Sequence, residues 1–188
     1  MKKIRITALV LLLAATPVMA APSVQVDSAV FNRFVDVQKM RLTLQGYGLL
    51  RYLVFIKAYA GALYLPETTA SKDVLKPVAK RLELEYFHTI KKEDFAKATR
   101  QKIADNTTDQ QAAQLKSRVD RLAALYRDVR PGDRYALTFI PGKGTELALN
   151  DEPLGTIAGD DFARAVFAIW LGTNPIDGAF RDLLLGAS

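Results

Sequence analysis

The 188-residue sequence contains no cysteine and only one histidine, His88. A chain without cysteine forms no disulfide, offers no thiolate nucleophile and lacks the commonest ligand of structural zinc sites. A serine hydrolase would depend on His88 alone, and the sequence has no Gly-x-Ser-x-Gly motif. Dinucleotide-binding and calcium-loop spacings are missing too. We therefore predict neither a cofactor nor a metal site, and we interpret His88 as a boundary residue at the end of a strand.

The first twenty residues differ in composition from the rest. Three basic residues within the first five positions precede an apolar run at 6–15, and Pro17 ends that run. Val18-Met19-Ala20 then supplies residues that a signal peptidase accepts. The apolar run is too short for a comfortable membrane span. These features predict a signal peptide over 1–20, cleaved to leave one domain at 21–188 with no stable membrane span; an uncleaved anchor is the alternative.

The charge of the mature chain is small. The full sequence has 26 Lys+Arg and 20 Asp+Glu, and the leader contains three of the basic residues and no acid, which leaves 23 − 20 = +3. A charge of this size does not indicate nucleic-acid binding. The short, lysine-led leader is typical of bacterial export, so we expect the protein in the periplasm, held together by its hydrophobic core.

The stretch Arg51–Pro66 predicts the central strand of the domain. It is rich in apolar, aromatic and β-branched residues, and both alternating faces are largely apolar, as in a strand covered on two sides. Gly46-Tyr47-Gly48 predicts a turn before it, so that Phe31–Leu44 would pair with it as an antiparallel hairpin. The small residues Ala58, Ala60, Gly61 and Ala62 leave room either for a closely packed helix or for a ligand.

The remaining pattern predicts an α+β fold. Period-two alternation indicates further strands at Val24–Val26, Arg81–Phe87, Arg134–Ile140, Thr145–Leu149 and Leu154–Ile157. Helical spacing indicates helices at Lys91–Asp105, Asp109–Arg127 and Asp161–Leu171, and another that starts at Asn174-Pro175. On the first of them Phe95, Ala98, Thr99, Lys102 and Ile103 share one stripe. Grouped strands and helices of this kind favour an antiparallel sheet with helices on one face.

The polar residues near the predicted hairpin are the candidates for binding. They are basic or carry a hydroxyl group, and they are Arg51, Lys57, Tyr47, Tyr59 and Tyr64. Arg51 has two interpretations: it faces solvent, or its planar guanidinium closes a pocket on a carboxylate. In the second case an apolar tail would lie between the sheet and the helices.

Two longer runs carry a family resemblance. Gly46-Tyr47-Gly48-Leu49-Leu50-Arg51, followed by Phe55-Ile56-Lys57 and the run to Tyr64-Leu65, resembles the Gly-x-Gly-x-Arg … Phe-x-Lys … Tyr-Leu motif of chalcone isomerase-like proteins. Residues 163–186 are similar to the closing helices of the same family. The resemblance extends from about Val24 to Gly186. It implies an open-faced β-sandwich, in which one layer of helices covers a large antiparallel sheet.

Members of this family either cyclise chalcones to flavanones or bind fatty acids in the equivalent cleft without catalysis. The resemblance places the enzyme's arginine at Arg51, with one residue added before it, and its strand threonine at Tyr59. The enzyme's helix tyrosine falls on Phe95, its asparagine near Lys102, and its Ser/Thr specificity position near Phe162 or Ala163. Most of the polar network that would orient a chalcone is thus replaced, and the cleft becomes more apolar.

The resemblance therefore implies a non-catalytic periplasmic protein that binds a fatty acid or a similar amphipathic carboxylate. Arg51 would bind the carboxylate with help from Tyr59 or Lys57, and the remaining predicted ligand-binding residues are Tyr47, Phe95 and Phe162. One alternative is an isomerase or intramolecular lyase for an enone, with Arg51 as electrophile and Tyr59 as acid. Another is an envelope partner-binding protein with a filled cleft. The oligomeric state is left open.

Overall fold

A computed structural model describes residues 22–52 and 55–187. The predicted signal peptide and its cleavage site lie outside the described residues, as do residues 53 and 54. Within the described part the chain forms nine strands: β1 (Ser23–Val26), β2 (Ala29–Asn32), β3 (Phe34–Val37), β4 (Met40–Tyr52), β5 (Ile56–Leu65), β6 (Lys80–Tyr86), β7 (Arg134–Ile140), β8 (Gly144–Leu149) and β9 (Glu152–Ile157). Its α-helices are α1 (Lys92–Asp105), α2 (Asp109–Leu125), α3 (Asp160–Leu171) and α4 (Gly178–Leu184).

Strands β3 to β9 form one antiparallel sheet in sequence order, and β1 and β2 form a separate two-stranded ribbon. The predicted α+β class is confirmed: a curled antiparallel sheet with four helices packed on it. The helix-covered face, called the inner face below, contains the larger apolar core. The opposite or outer face carries a smaller core, in which Val24 and Phe31 of the ribbon pack against Ala60, Ala62 and Tyr64 of β5.

The helix boundaries follow from local hydrogen bonds. Thr108 and Gln111 form a reciprocal capping box at the start of α2. The Asp177 side chain accepts a hydrogen bond from the Phe180 amide at 2.7 Å and so begins α4, later than the Asn174-Pro175 start that the sequence predicts. The N-terminus of helix α1 is capped by a residue that is distant in sequence: the Asp128 carboxylate accepts a hydrogen bond from the Lys92 amide at 3.0 Å.

The predicted turn at Gly46-Tyr47-Gly48 is wrong, because these residues lie inside strand β4. A Cβ atom at Gly46 would collide with the backbone carbonyls of Leu183 and Leu184, and one at Gly48 would collide with the Leu183 side chain. These glycines therefore allow α4 to approach the sheet closely. The continuous strand also places Arg51 near the end of β4 instead of at the start of the central strand.

The small residues of β5 are used for packing on both faces of the sheet. Gly61 faces Phe180 of α4 on the inner face, where a Cβ atom would meet the phenylalanine ring. Ala60 and Ala62 are fully buried under the ribbon on the outer face. Strand β5 is thus central and covered on both sides, as its apolar composition predicts.

Candidate functional site

A cavity of about 230 Å³ lies on the inner face, between the sheet, helices α1 and α3, and Tyr126, which directly follows α2. Its floor is formed by alternate residues of β6, namely Leu82, Leu84 and Tyr86, since these side chains point to the same face of the strand. Ile169 and Trp170 of α3 form one wall. The alternation that was recognised in the sequence of β6 therefore builds the floor of the cavity.

Helix α1 forms the roof and the mouth of the cavity. The stripe that helical spacing predicts lines the cavity with Phe95, Ala98, Thr99 and Lys102, and Asp94 adds a carboxylate at the other end of the stripe. Ala98, in the middle of the stripe, is exposed to solvent and also lines the cavity, so the cavity opens at this position. Lys102 and Asp94 thus place opposite charges at the two ends of the mouth.

Aromatic rings dominate the interior of the cavity. Six of them line it: Tyr59, Tyr86, Phe95, Tyr126, Tyr135 and Trp170. The Tyr86 ring lies 5.2 Å from Phe95 and 5.4 Å from Tyr59 between centroids, in tilted or edge-to-face arrangements that aromatic pairs favour. Ring contacts of this kind form a rigid and mostly apolar wall.

Of the four tyrosine hydroxyls that line the cavity, three form hydrogen bonds with protein groups, and the fourth, that of Tyr86, forms none within the described residues. Tyr126 and Thr99 share a hydrogen bond of 2.8 Å, and the Tyr135 hydroxyl both donates to the Arg127 carbonyl at 2.9 Å and accepts from the Arg127 amide at 2.7 Å. The Tyr59 hydroxyl accepts from the Trp170 indole N–H at 3.0 Å. No hydrogen bond of the Tyr86 hydroxyl is found within the described residues, although only 3% of Tyr86 is exposed.

Burial keeps these tyrosines protonated. Desolvation raises the pKa of Tyr59 and Tyr86 well above the usual tyrosine range, and it raises the pKa of Tyr126 to about 12 against the opposing hydrogen bond from Thr99. At neutral pH each hydroxyl therefore remains a neutral donor. None of them supplies a tyrosinate that would act as a base.

Lys102 is the cation that lines the cavity. Its ammonium group lies 3.2 Å from Asp105 and 3.5 Å from the carbonyl oxygen of Pro175, and its side chain is about one-fifth exposed. An ion pair that is partly open to solvent contributes little free energy. The ammonium group is therefore available to an anion that arrives at this end of the mouth.

Of the six residues predicted to bind a ligand, the structure brings Tyr59 and Phe95 together in the cavity. Phe162 is completely buried in the inner core and does not line the cavity. Tyr47, which pairs with Ala62, lies on the outer face and is 42% exposed. The exposed position of His88, outside the cavity lining, agrees with its interpretation as a boundary residue.

Arg51 and Lys57 also lie away from the cavity, on the outer face. A register shift pairs Leu50 with Tyr59 but Arg51 with Lys57, so Ala58 is an extra residue in β5 and Lys57 points to the face opposite Tyr59. In β4 the alternation continues, and Arg51 points outward because Leu50 points inward. Lys57 forms an ion pair with Asp27 of the ribbon at 2.5 Å, and Arg51 is exposed near the same carboxylate. The enone-isomerase alternative requires Arg51 and Tyr59 to face a common substrate. Their side chains lie on opposite faces of the sheet, so they do not.

Residues 22–52 and 55–187 contain no group of three or more His, Cys, Asp or Glu side chains arranged to hold a metal ion. In the same part of the chain, no helix combines the length and the apolar character that a membrane crossing requires.

Comparisons with known proteins place this site in context. The sequence matches a family model described as chalcone isomerase-like over residues 23–186. Among solved structures, the crystal structure of a fatty-acid binding protein of Arabidopsis thaliana superposes with a TM-score of 0.70 at 15% sequence identity, covering 87% of this chain and 96% of the plant chain. No curated protein matches the sequence. At 15% identity the structural likeness shows a shared fold.

Proposed function

This chain belongs to the chalcone isomerase-like family, and we propose that it binds a fatty acid or a similar amphipathic carboxylate without converting it. The observation that carries the proposal is the apolar cavity on the inner face, with one lysine at its mouth. The family resemblance adds support, because the plant protein with the same fold is a fatty-acid binding protein.

The carboxylate is assigned to Lys102 instead of Arg51. Lys102 lines the cavity, while Arg51 lies on the opposite face of the sheet. Asp94 at the other end of the mouth would repel an anion, so the charges favour one orientation, with the acid group at Lys102 and the tail toward Phe95. A charge-assisted hydrogen bond contributes on the order of 1.5–3 kcal/mol when it is shielded from water.

The size of the cavity favours a short ligand. Its volume of about 230 Å³ lies below the roughly 300–1,000 Å³ that is usual for small-molecule sites. An acyl chain of eight to ten carbons is a better match than a long-chain acid, which would require movement of the aromatic side chains. Each buried methylene adds roughly 0.8 kcal/mol, so the tail dominates the affinity.

Binding without conversion is favoured by the chemistry of the lining. The buried tyrosines stay protonated because their pKa values are raised, and His88 lies outside the lining. The residues that would form an electrophile and acid pair, Arg51 and Tyr59, lie on opposite faces. The cavity also differs from the filled cleft that is expected of an envelope partner-binding protein.

Native mass spectrometry of the mature protein tests the proposal. Octanoate, decanoate and palmitate are titrated against the wild-type protein, Lys102→Met and Lys97→Met. Lys97 is an exposed residue of α1 outside the cavity lining, so its variant makes the same chemical change in the wrong place. We expect a 1:1 complex with decanoate that Lys102→Met weakens about tenfold and Lys97→Met leaves unchanged. Failure of all three acids to bind the wild type would overturn the proposal.

The periplasmic location forms part of the same proposal. Its support is the leader in the sequence, with basic residues before a short apolar run. Expression of the full chain in a bacterium, followed by intact-mass analysis of the periplasmic fraction, is expected to give a protein that begins at Ala21. A full-length chain retained in the membrane fraction would contradict it.

A further inference from the structure

Two hydroxyl protons of the cavity have no acceptor among the described residues. The Tyr86 hydroxyl makes no hydrogen bond there, although Tyr86 is 3% exposed and lines the cavity. The fully buried hydroxyls without a partner are those of Tyr64 and Thr145, which lie outside the cavity lining, and the Tyr86 hydroxyl is not one of them. The Tyr86 oxygen is therefore open to the cavity, where a ligand can accept its hydrogen bond.

The second hydroxyl proton without an acceptor belongs to Tyr59. Its oxygen accepts a hydrogen bond from the Trp170 indole at 3.0 Å, and its own O–H group finds no acceptor in the described part of the chain. An accepted hydrogen bond polarises a hydroxyl and strengthens it as a donor. The rings of Tyr59 and Tyr86 are 5.4 Å apart, so the two donors belong to one corner of the cavity.

The neighbouring hydroxyls do not share this property. Tyr126 is engaged with Thr99, and Tyr135 is engaged with both backbone groups of Arg127. The polar character of the interior is therefore concentrated at Tyr59 and Tyr86. A hydroxyl or carbonyl oxygen has two lone pairs and matches such a pair of donors.

The Tyr86 ring and Lys102 lie at different positions along the helix that roofs the cavity. The Tyr86 ring packs against Phe95 at 5.2 Å, and Lys102 follows Phe95 by seven residues on the same helix. At 1.5 Å per residue the backbone positions of Phe95 and Lys102 are about 10 Å apart along the helix axis. Both residues line the cavity, so a ligand that lies along this helix face passes from one to the other.

We infer that the natural ligand carries a second oxygen at the end opposite its acid group, and that this hydroxyl or carbonyl oxygen accepts hydrogen bonds from Tyr86 and Tyr59 while the carboxylate lies at Lys102. The inference rests on the proposed function and narrows its ligand class. Plain saturated acids then leave the two donors unsatisfied, whereas ω-oxygenated acids of medium length satisfy them.

Matched pairs of acids test the inference. Isothermal titration calorimetry compares octanoate with ω-hydroxyoctanoate, and decanoate with ω-hydroxydecanoate, on the wild type and on Tyr86→Phe. For the pair whose length fits, the wild type is expected to bind the hydroxy acid about fivefold more tightly. Tyr86→Phe is expected to remove that preference or reverse it, since the ligand hydroxyl then loses a donor, while the plain acid no longer leaves that donor unsatisfied and binds at least as tightly as to the wild type.

Tyr126→Phe is the matched control. It removes a hydroxyl from the same cavity wall, but one that is already bonded to Thr99. The preference for the hydroxy acid is expected to persist in this variant. Equal binding of both acids to the wild type, or a preference that Tyr86→Phe leaves intact, would overturn the inference and leave the proposed function standing. Binding of none of the four acids would overturn both.

Discussion

The two faces of the sheet differ in how their buried charged groups are partnered. On the outer face the buried charges are paired: Arg134 bonds to Glu83 at 3.2 Å and to Glu85 at 2.5 Å, and Arg81 bonds to Glu83 at 2.8 Å. Arg134 also donates to the Val30 carbonyl of the ribbon at 2.8 Å and lies over the Phe31 ring. The outer face thus carries a network of ion pairs that fastens the ribbon to the sheet.

On the inner face, Lys80 is 1% exposed and forms no ion pair within residues 22–52 and 55–187; its ammonium group donates to the Lys76 carbonyl at 2.8 Å and lies over the Phe139 and Phe167 rings. The same face contains the cavity, where the Tyr86 hydroxyl has no hydrogen-bond partner in that part of the chain. The comparison teaches that the outer face is organised for stability, while the inner face gives up some stability where a ligand is proposed to bind.

Breaking the outer network is expected to have the largest effect. Arg134→Met leaves Glu85 without its partner and Glu83, which is 5% exposed, with one partner instead of two. We expect a loss of about 3 kcal/mol in the free energy of unfolding, as for other broken buried pairs. Urea denaturation measures it. Arg41→Met, at an exposed pair with Asp36, is the control and is expected to unfold like the wild type. Equal midpoints for the two variants would contradict the comparison.

Removing the Lys80 charge on the inner face is expected to raise the free energy of unfolding, whereas Arg134→Met lowers it. Burial lowers the pKa of Lys80 to about 8, against the attraction of Asp160. Its charged form is thus disfavoured in the folded state, and wild-type stability should rise between pH 8 and 10, where only the unfolded chain holds the proton. Lys80→Met should be more stable than the wild type by roughly 1–3 kcal/mol at pH 7, and this advantage should shrink toward pH 10. Urea midpoints across this range measure it; a destabilised variant at pH 7 would show that the carbonyl and ring contacts outweigh desolvation.

The smallest expected difference in stability is between two tyrosine variants of the inner face, Tyr126→Phe and Tyr86→Phe. Tyr126→Phe removes the buried hydrogen bond to Thr99 and should cost about 1 kcal/mol in the free energy of unfolding. Tyr86→Phe removes a hydroxyl with no partner among the described residues, and it should leave stability unchanged or slightly raised. Thermal unfolding of the ligand-free variants checks this order. A Tyr86→Phe protein less stable than Tyr126→Phe would mean that the Tyr86 hydroxyl is already satisfied.

The sequence predicted the fold better than the site, for physical reasons. Period-two alternation identified β6, and the stripe at Phe95, Ala98 and Lys102 marked the helix face that roofs the cavity. Alternation does not reveal a bulge, and the extra residue Ala58 in β5 turns Lys57 to the face opposite Tyr59. Arg51 pairs with Lys57 and shares that outer face. Gly46 was interpreted as a turn because its actual contact, α4, lies about 140 residues further along the chain.

The site residues that sequence reasoning missed were visible only as parts of a pattern. Tyr86 stood on the apolar face of a predicted strand with Leu82 and Leu84, where a tyrosine is expected to pack like any other core residue. What distinguishes Tyr86 is that its hydroxyl has no hydrogen-bond partner among the described residues, while the neighbouring hydroxyls of Tyr126 and Tyr135 are already bonded. Hydrogen-bond partners of this kind come from distant segments, and no local spacing encodes them.

The central claim, that the inner face binds a ligand in its cavity, is tested most directly by closing the mouth. Ala98 and Ala104 are both exposed on α1, but only Ala98 lines the cavity. Decanoate titrated by calorimetry into the wild type, Ala98→Trp and Ala104→Trp compares the same substitution at the two positions. The account predicts that Ala98→Trp abolishes binding while Ala104→Trp binds like the wild type. Unchanged binding in Ala98→Trp, with the fold intact, would contradict it.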